Sequence, residues 1–241
     1  MNVSRLFHRA PVSAAIALAC LAVYALTAMQ AKSLTNPVWG STLGTRMVLY
    51  GPLASGAEWG WLRTIAAAFL HVDPTHIFVN LFMLALIGTE VERFVGSGPY
   101  VLVYGAGVLG SSASVLAMNF DTPTAGASGA MYALMGVLVA VAYRRRTDLR
   151  APLALVVLNV VFSLVTPGVS LWGHLGGLLV GAAAAWPVTS PRAATRSIGA
   201  VVALLAAAAW VVVELSTGYP QVVPTGIIPQ ALPTMWIDTI V

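Results

Sequence analysis

The sequence contains little charge: only 8% of its 241 residues are charged, and 59% are hydrophobic. Soluble globular domains carry about 25% charged residues, so this composition excludes an ordinary soluble domain and predicts an integral membrane protein built of helices. The weak alternating pattern of a transmembrane β-barrel is also absent. The single cysteine, Cys20, excludes an intrachain disulfide framework and the C-x-x-C motifs of redox and zinc sites. The net charge of +4 does not by itself indicate a nucleic-acid partner.

Seven apolar segments are predicted to be membrane-spanning helices. They are 11–29, 75–93, 100–118, 127–143, 151–165, 171–186 and 198–215. The first is interpreted as a retained helix because it is long and no A-x-A cleavage site follows it. The loop 30–74 contains three tryptophans and is predicted to lie partly in the membrane interface. The Pro-containing tail 217–241 is not predicted to add a span. The predicted fold class is an all-α, polytopic transmembrane helical bundle.

Basic residues are distributed unevenly between the predicted loops. If the N-terminus (1–10) is cytoplasmic, nine of them lie on the cytoplasmic side and three, Lys32, Arg46 and Arg63, lie outside. The nine are Arg5, Arg9, Arg93, Arg144, Arg145, Arg146, Arg150, Arg192 and Arg196. Because basic residues accumulate on the cytoplasmic side, the C-terminus is predicted to be extracytoplasmic. The short loops and the lack of disulfides favour a bacterial cell (inner) membrane.

Polar side chains occur at one depth on the three spans that are predicted to run inward. Ser128 and His76 lie 16 and 17 residues before the arginine that ends their spans, and the position of His174 is compatible with the same level. Sixteen helical residues cover about 24 Å, so this level lies just inside the outer boundary of a hydrocarbon core roughly 30 Å thick. Water can reach such a shallow layer from outside.

Ser128 and His174 have the chemistry of a nucleophile and its base. A neutral His174 can act as a general base that activates the Ser128 hydroxyl. No Asp or Glu lies at this level on the inward-running spans, so a dyad is simpler than a triad, with the imidazole oriented by packing or by stacking on Tyr132. His76 and Asn80 lie four residues apart on one helix face and can donate to an oxyanion beside the Ser128 backbone N–H.

Small residues flank this pair at helical spacing. They are Gly129 and Ala133 in the fourth span and Gly173, Gly177 and Gly181 in the sixth. Such stripes let two helix backbones approach closely, which would bring Ser128 toward His174. A lone serine or histidine in a span is more often a packing or structural residue. Because Ser128, His76 and His174 share one depth, a catalytic role is favoured over a packing or structural one.

Four motifs follow one another in a specific order. They are His71-x4-His76-x3-Asn80, Gly88-x3-Glu92-x3-Gly96, Gly126-Ala127-Ser128-Gly129 with Tyr132 and Gly136, and Gly173-His174-x2-Gly177-x3-Gly181. In this order and spacing, over about 58–187, the chain resembles the rhomboid intramembrane serine proteases. The resemblance implies a six-helix catalytic core over 11–188 and an additional seventh helix over 197–216. It also implies that Ser128 is the nucleophile, that His174 is the base and that His76 and Asn80 line the oxyanion hole.

The resemblance assigns roles to residues outside this group as well. It implies a structural role for His71, a structural hydrogen-bonding role for Glu92, and a membrane-embedded hairpin for the loop that contains Arg63. Arg63 keeps the family's eight-residue distance to His71. The family commonly has adjacent Trp-Arg here, whereas Leu62 separates Trp61 from Arg63 in this chain. This departure affects the expected local contacts of the loop and not the expected pair of Ser128 and His174.

The predicted function is an intramembrane endopeptidase that cleaves single-span membrane proteins near the outer membrane boundary. Its expected partners are these substrates and membrane lipid, and no nucleic acid, cofactor or metal is expected. A non-catalytic rhomboid-like protein that binds transmembrane clients is an alternative, although such relatives usually lack the serine or the histidine. A small transporter is disfavoured because no internal repeat is seen, and a metalloprotease because H-E-x-x-H is missing. The G-x-S-G sequence, without a preceding strand, excludes an α/β-hydrolase.

Overall fold

The computed structural model describes residues 10–217, and within this range the regular secondary structure is helical, apart from one isolated β-bridge between Leu49 and Thr124. The helices are α1 (Pro11–Ala31), α2 (Thr42–Met47), α3 (Gly51–Gly56), α4 (Arg63–Ala66), α5 (Pro74–Met83), α6 (Thr89–Val95), α7 (Ser97–Met118), α8 (Ser128–Arg144), α9 (Arg150–Val165), α10 (Leu171–Val188) and α11 (Ala193–Thr217). The all-α prediction is confirmed for these residues. The predictions for 1–9 and 218–241 lie outside the described residues.

Four described helices, α1, α7, α10 and α11, are each long and apolar enough to cross a membrane. The segment formed by α5 and α6 is a further candidate, joined to the preceding Gly60–Phe69 helix at a bend of 80°. The apolar helices α8 and α9 are shorter, with 17 and 16 residues. Each predicted apolar segment is therefore helical. Within the predicted span 75–93, a π-helical turn, Leu84–Gly88, lies between α5 and α6.

Polar caps set where two of these helices begin. The Asp73 carboxylate accepts a hydrogen bond from the His76 backbone N–H at 2.8 Å, and Pro74 is the first residue of α5. The Ser170 hydroxyl accepts a backbone hydrogen bond at 3.3 Å at the start of α10. Such caps satisfy N–H groups that have no partner within the helix. They place His76 and His174 in the first turn of their helices.

Helices α8 and α10 pack backbone against backbone. A Cβ atom added to Gly177 would collide with the carbonyl oxygen of Gly129, and one added to Gly181 would collide with the carbonyl oxygen of Ala133. On the other side of α8, a Cβ at Gly129 would collide with the Ser111 side chain of α7. Glycine is therefore required for these helices to approach as closely as they do.

The buried carboxylate of Glu92 connects three helices. It accepts hydrogen bonds from the backbone N–H groups of Val12 and Ser13 at 2.9 and 2.8 Å, from the Ser13 hydroxyl at 2.7 Å and from the Ser97 hydroxyl at 2.7 Å. The Ser13 hydroxyl also lies 3.0 Å from the Tyr100 hydroxyl. A negative charge at the N-terminus of α1 is favourable because the first N–H groups of a helix carry partial positive charge. Glu92 thus joins α6 to the beginnings of α1 and α7.

The loop before α5 is held in place by hydrogen bonds to its own backbone carbonyl groups. Arg63 donates from Nη1 to the carbonyl oxygens of Thr45 and Val48, at 2.8 and 2.9 Å. The bridge between Leu49 and Thr124 then ties this loop to the segment that leads into α8. Trp61 is half exposed and does not take part in these bonds. The loop therefore lies against the start of the helix that carries Ser128.

Candidate active site

Ser128 is the first residue of α8 and follows a glycine with an unusual backbone conformation. The φ angle of Gly126 is +128°, a value that residues with a side chain rarely adopt. A Cβ at Gly126 would lie 2.8 Å from both Cε1 and Nε2 of His76 and 3.7 Å from Ser128 Oγ. The His76 ring therefore sits directly on the Gly126 backbone, next to the Ser128 hydroxyl.

His174 and Ser128 are hydrogen-bonded. The distance between His174 Nε2 and Ser128 Oγ is 2.7 Å, although the two residues are 46 positions apart. The imidazole of His174 is buried and stacks on Tyr132, with ring centroids 4.1 Å apart and an interplanar angle of 12°. The structure thus places His174 in direct contact with both Ser128 and Tyr132.

The other ring nitrogen of His174 has a partner that sequence analysis missed. Ser163 Oγ of α9 lies 2.7 Å from His174 Nδ1 and 2.5 Å from the Tyr132 hydroxyl. The carbonyl oxygen of Asn159 accepts from the Tyr132 hydroxyl at 2.5 Å and from the Ser163 hydroxyl at 2.8 Å. A signal was available: Asn159 and Ser163 are polar residues four apart in an apolar helix, as are His76 and Asn80. These hydrogen bonds attach α9 to the site.

The hydrogen bonds of His76 fix its tautomer. Its Nδ1 accepts a hydrogen bond from the Val72 backbone N–H at 3.3 Å. In a neutral imidazole the hydrogen is then on Nε2, the atom that lies against Gly126. His76 therefore presents an N–H donor on the Ser128 side of its ring.

Asn80 lies one helical turn beyond His76. Its Nδ2 donates to the His76 carbonyl oxygen at 2.9 Å, which leaves its second amide hydrogen free to donate. Within residues 10–217, Asn80 makes no hydrogen bond to Ser128 or His174, and its buried Oδ1 has no partner. His71 is fully buried behind His76, with ring centroids 5.1 Å apart.

Among the described residues, the remaining predicted ones do not contact Ser128 or His174 through a side-chain hydrogen bond; they pack the helices that surround the site. Gly129, Gly177, Gly181 and Ala133 lie at the contact of α8 with α10, and Gly173 faces Ser111, Ser170 and Val115. The hydrogen bonds of Glu92 and Arg63 are made elsewhere. In the part of the chain that the structure describes, no group of three or more His, Cys, Asp or Glu side chains is arranged to hold a metal ion.

A small cavity adjoins the Ser128 loop. Its walls are formed mainly by small residues, including Ala67, Ser111, Gly126, Gly129 and Ala130. Its volume is about 20 Å³, little more than one water molecule needs. Its chemical environment is mixed, since hydroxyl groups and methyl groups both face it.

The family model of the rhomboid domain matches residues 58–191, which are more than half of this chain. The protein belongs to the rhomboid family. The resemblance inferred from the four motifs is thereby confirmed. Together with its apolar helices, this membership makes the protein an integral, multi-pass membrane protein.

Several relatives are similar to this chain over more than half of its length. The rhomboid protease GluP of Bacillus subtilis is 34% identical over 162 residues, which are 64% of this chain and 32% of that protein. The rhomboid-type serine protease 2 of Emericella nidulans is 33% identical over 150 residues, 58% of this chain and 29% of that protein. The rhomboid-like protease 1 of Toxoplasma gondii is 30% identical over 179 residues, 66% and 60% respectively. The chain thus spans about a third of the length of the first two relatives.

Proposed function

We propose that this protein is an intramembrane serine endopeptidase that cleaves transmembrane segments with Ser128 as nucleophile and His174 as general base. The observation that carries the proposal is the 2.7 Å hydrogen bond between His174 Nε2 and Ser128 Oγ, in a chain of the rhomboid family. The names of its relatives, which are rhomboid and serine proteases, support the same activity.

The chemistry follows from the positions of the donors and acceptors. Ser128 Oγ attacks the peptide carbonyl carbon while its proton moves to His174 Nε2. The developing oxyanion accepts hydrogen bonds from His76 Nε2–H, from the Asn80 amide and from the backbone N–H of Ser128, which is at a helix start and has no intrahelical acceptor. His174 then gives its proton to the leaving amine, and water, activated by the same nitrogen, hydrolyses the acyl-enzyme.

The proposed membrane arrangement is a six-helix core over 11–188 followed by a seventh helix at 197–216. Residues 1–10 are then cytoplasmic and 217–241 extracytoplasmic, in a bacterial inner membrane. Support for this orientation comes from the nine basic residues on the cytoplasmic side against three outside. In this orientation the short α8 begins at Ser128 below the outer surface, and loop 30–74 covers it from above.

The proposed substrates are single-span membrane proteins cleaved near the outer boundary. A transmembrane helix hides its carbonyl groups in its own hydrogen bonds, so the substrate must unwind before Ser128 reaches them. Segments with Gly, Pro or polar residues unwind most readily, and the small cavity beside Gly126 and Gly129 favours a short side chain before the scissile bond. Lateral access past α9 is favoured, because Ser163 is the one buried residue among those of this helix.

Ser128→Ala tests this function directly. The purified variant in liposomes is expected to cleave no transmembrane substrate while it keeps the thermal unfolding midpoint of the unaltered protein. A fluorophosphonate probe is expected to label the unaltered protein and not the variant. Equal cleavage by both proteins would reject the mechanism. A fold that binds transmembrane clients without cleaving them would retain substrate and leave the probe unreacted.

A further inference from the structure

A general base must have the correct ring tautomer before it can act. For His174 Nε2 to accept the proton of Ser128, the hydrogen of the neutral imidazole must be on Nδ1. That Nδ1–H then needs an acceptor, because the ring is buried and an unpaired N–H in such surroundings is costly. In the described structure the atom in this position is Ser163 Oγ, at 2.7 Å.

The Asn159 carbonyl offers an acceptor to the Ser163 hydroxyl hydrogen. Ser163 has one hydrogen to donate and two lone pairs. A carbonyl oxygen can only accept, and that of Asn159 lies 2.8 Å away, one turn earlier in α9. With its hydrogen directed to Asn159, Ser163 turns a lone pair toward His174 Nδ1. The opposite arrangement, in which Ser163 donates to Nδ1, would put the ring hydrogen on Nε2 and remove the base.

We propose that Ser163 is a positioning residue that selects the productive tautomer of His174 and holds its ring against Ser128. The inference rests on the proposed protease function and extends the predicted dyad to a Ser128–His174–Ser163 arrangement. When the Ser128 O–H bond breaks and the Nε2–H bond forms, the imidazolium donates from both nitrogens. Ser163 Oγ continues to accept from Nδ1, and its own proton stays in place.

A hydroxyl suits this position better than a carboxylate. Placing a full negative charge in an apolar bundle is expensive, whereas a serine that already bonds to its own helix costs little. Ser163 is 4% exposed, on a helix whose other residues are more exposed. The alignment of the base therefore depends on the position of α9, the helix that lies beside the proposed path of the substrate.

The test compares substitutions at Ser163 in the full chain, reconstituted in liposomes with a cleavable transmembrane substrate. Ser163→Ala is expected to lower kcat about 10- to 100-fold, the range for a lost hydrogen bond to a charged group, with KM changed less than about twofold. Ser163→Thr and Ser163→Val form a matched pair of nearly equal shape. The threonine variant is expected to keep at least about tenfold higher kcat than the valine variant, because only it retains the hydroxyl.

Thr27→Val is the control for the loss of a buried hydroxyl. Thr27 is buried in α1, bonds to the carbonyl of Val23 at 3.0 Å and lies outside the site. The kcat of the Thr27→Val variant is expected to equal that of the unaltered protein. Unchanged kcat in Ser163→Ala, or equal kcat in the Thr and Val variants, would overturn the positioning role. Failure of the protease proposal looks different: the unaltered protein would then cleave no better than Ser128→Ala.

Discussion

At the scale of single residues, His76 holds a hydrogen-bond donor where a negative charge would develop. The Val72 backbone N–H donates to Nδ1 of the His76 ring. The other ring nitrogen, Nε2, lies against Gly126 on the side of Ser128. Because this N–H is already oriented in the free protein, it stabilises an oxyanion without reorganisation. The donor is separate from the base, so its loss and the loss of His174 have different effects.

His76→Ala is expected to lower kcat by about 100-fold, the size of effect seen when one oxyanion donor is removed. The measurement is single-turnover cleavage in liposomes, with thermal unfolding recorded for the same samples. Phe78→Ala is the control, since Phe78 is on the same helix with an exposed side chain. Full activity in His76→Ala would show that the oxyanion is stabilised by other groups.

The sequence allowed part of this site to be predicted. Ser128 and His174 could be paired because both are polar, occur on spans that run in one direction and lie at one depth. Ser163 is on a span that runs in the opposite direction, so depth counted from the inward-running spans does not place it beside His174, and its four-residue spacing from Asn159 is the one sequence signal for it. The distance between Asn80 and a reacting atom also depends on packing that residue spacing does not define.

At the scale of helices, glycine determines how closely α8 and α10 approach. Sequence spacing predicts the stripes that carry this contact, since small residues recur every four positions. It does not predict the π-helical turn at Leu84–Gly88, whose residues are ordinary helix formers apart from the glycine. Nor does it predict the bridge between Leu49 and Thr124, which joins two loops far apart in the chain.

Gly181→Ala is expected to lower the free energy of unfolding by about 2 to 3 kcal/mol, the cost of overpacking against a backbone that cannot move freely. The added methyl group meets the carbonyl of Ala133, so α10 must shift and cleavage is expected to fall as well. Unfolding is followed in mild detergent.

Gly98→Ala is the matched control for this substitution. It adds the same methyl group within α7, where nothing lies within 4 Å of the new atom. Its stability is expected to stay within about 1 kcal/mol of the unaltered protein. Equal losses in the two variants would mean that close packing is not what Gly181 provides.

At the scale of the whole molecule, one buried carboxylate holds the first helix to the rest. The Glu92 carboxylate of α6 accepts hydrogen bonds from N–H groups at the start of α1 and from a hydroxyl at the start of α7. It therefore links these three helices. These bonds lie far along the chain from Ser128. Their role is the stability of the bundle rather than the reaction.

Glu92→Ala is expected to reduce stability by about 3 kcal/mol, because it leaves buried N–H groups without an acceptor. Glu90→Ala, two positions away, removes only the exposed ion pair with Arg145 and is expected to cost less than about 1 kcal/mol. Thermal unfolding measures stability, and titration with a fluorophosphonate counts active molecules. Activity per labelled molecule is expected to be unchanged in both variants, and a selective loss in Glu92→Ala would link this carboxylate to the chemistry.

The 16 residues of α9 also affect the surrounding lipid. A helix of this length covers about 24 Å, whereas the hydrocarbon core of a typical bilayer is about 30 Å thick. In the proposed membrane arrangement, acyl chains beside α9 must compress or tilt to match it. The annulus next to the substrate path is then thinner than the bulk bilayer, and short-chain lipids reduce the elastic cost of that mismatch.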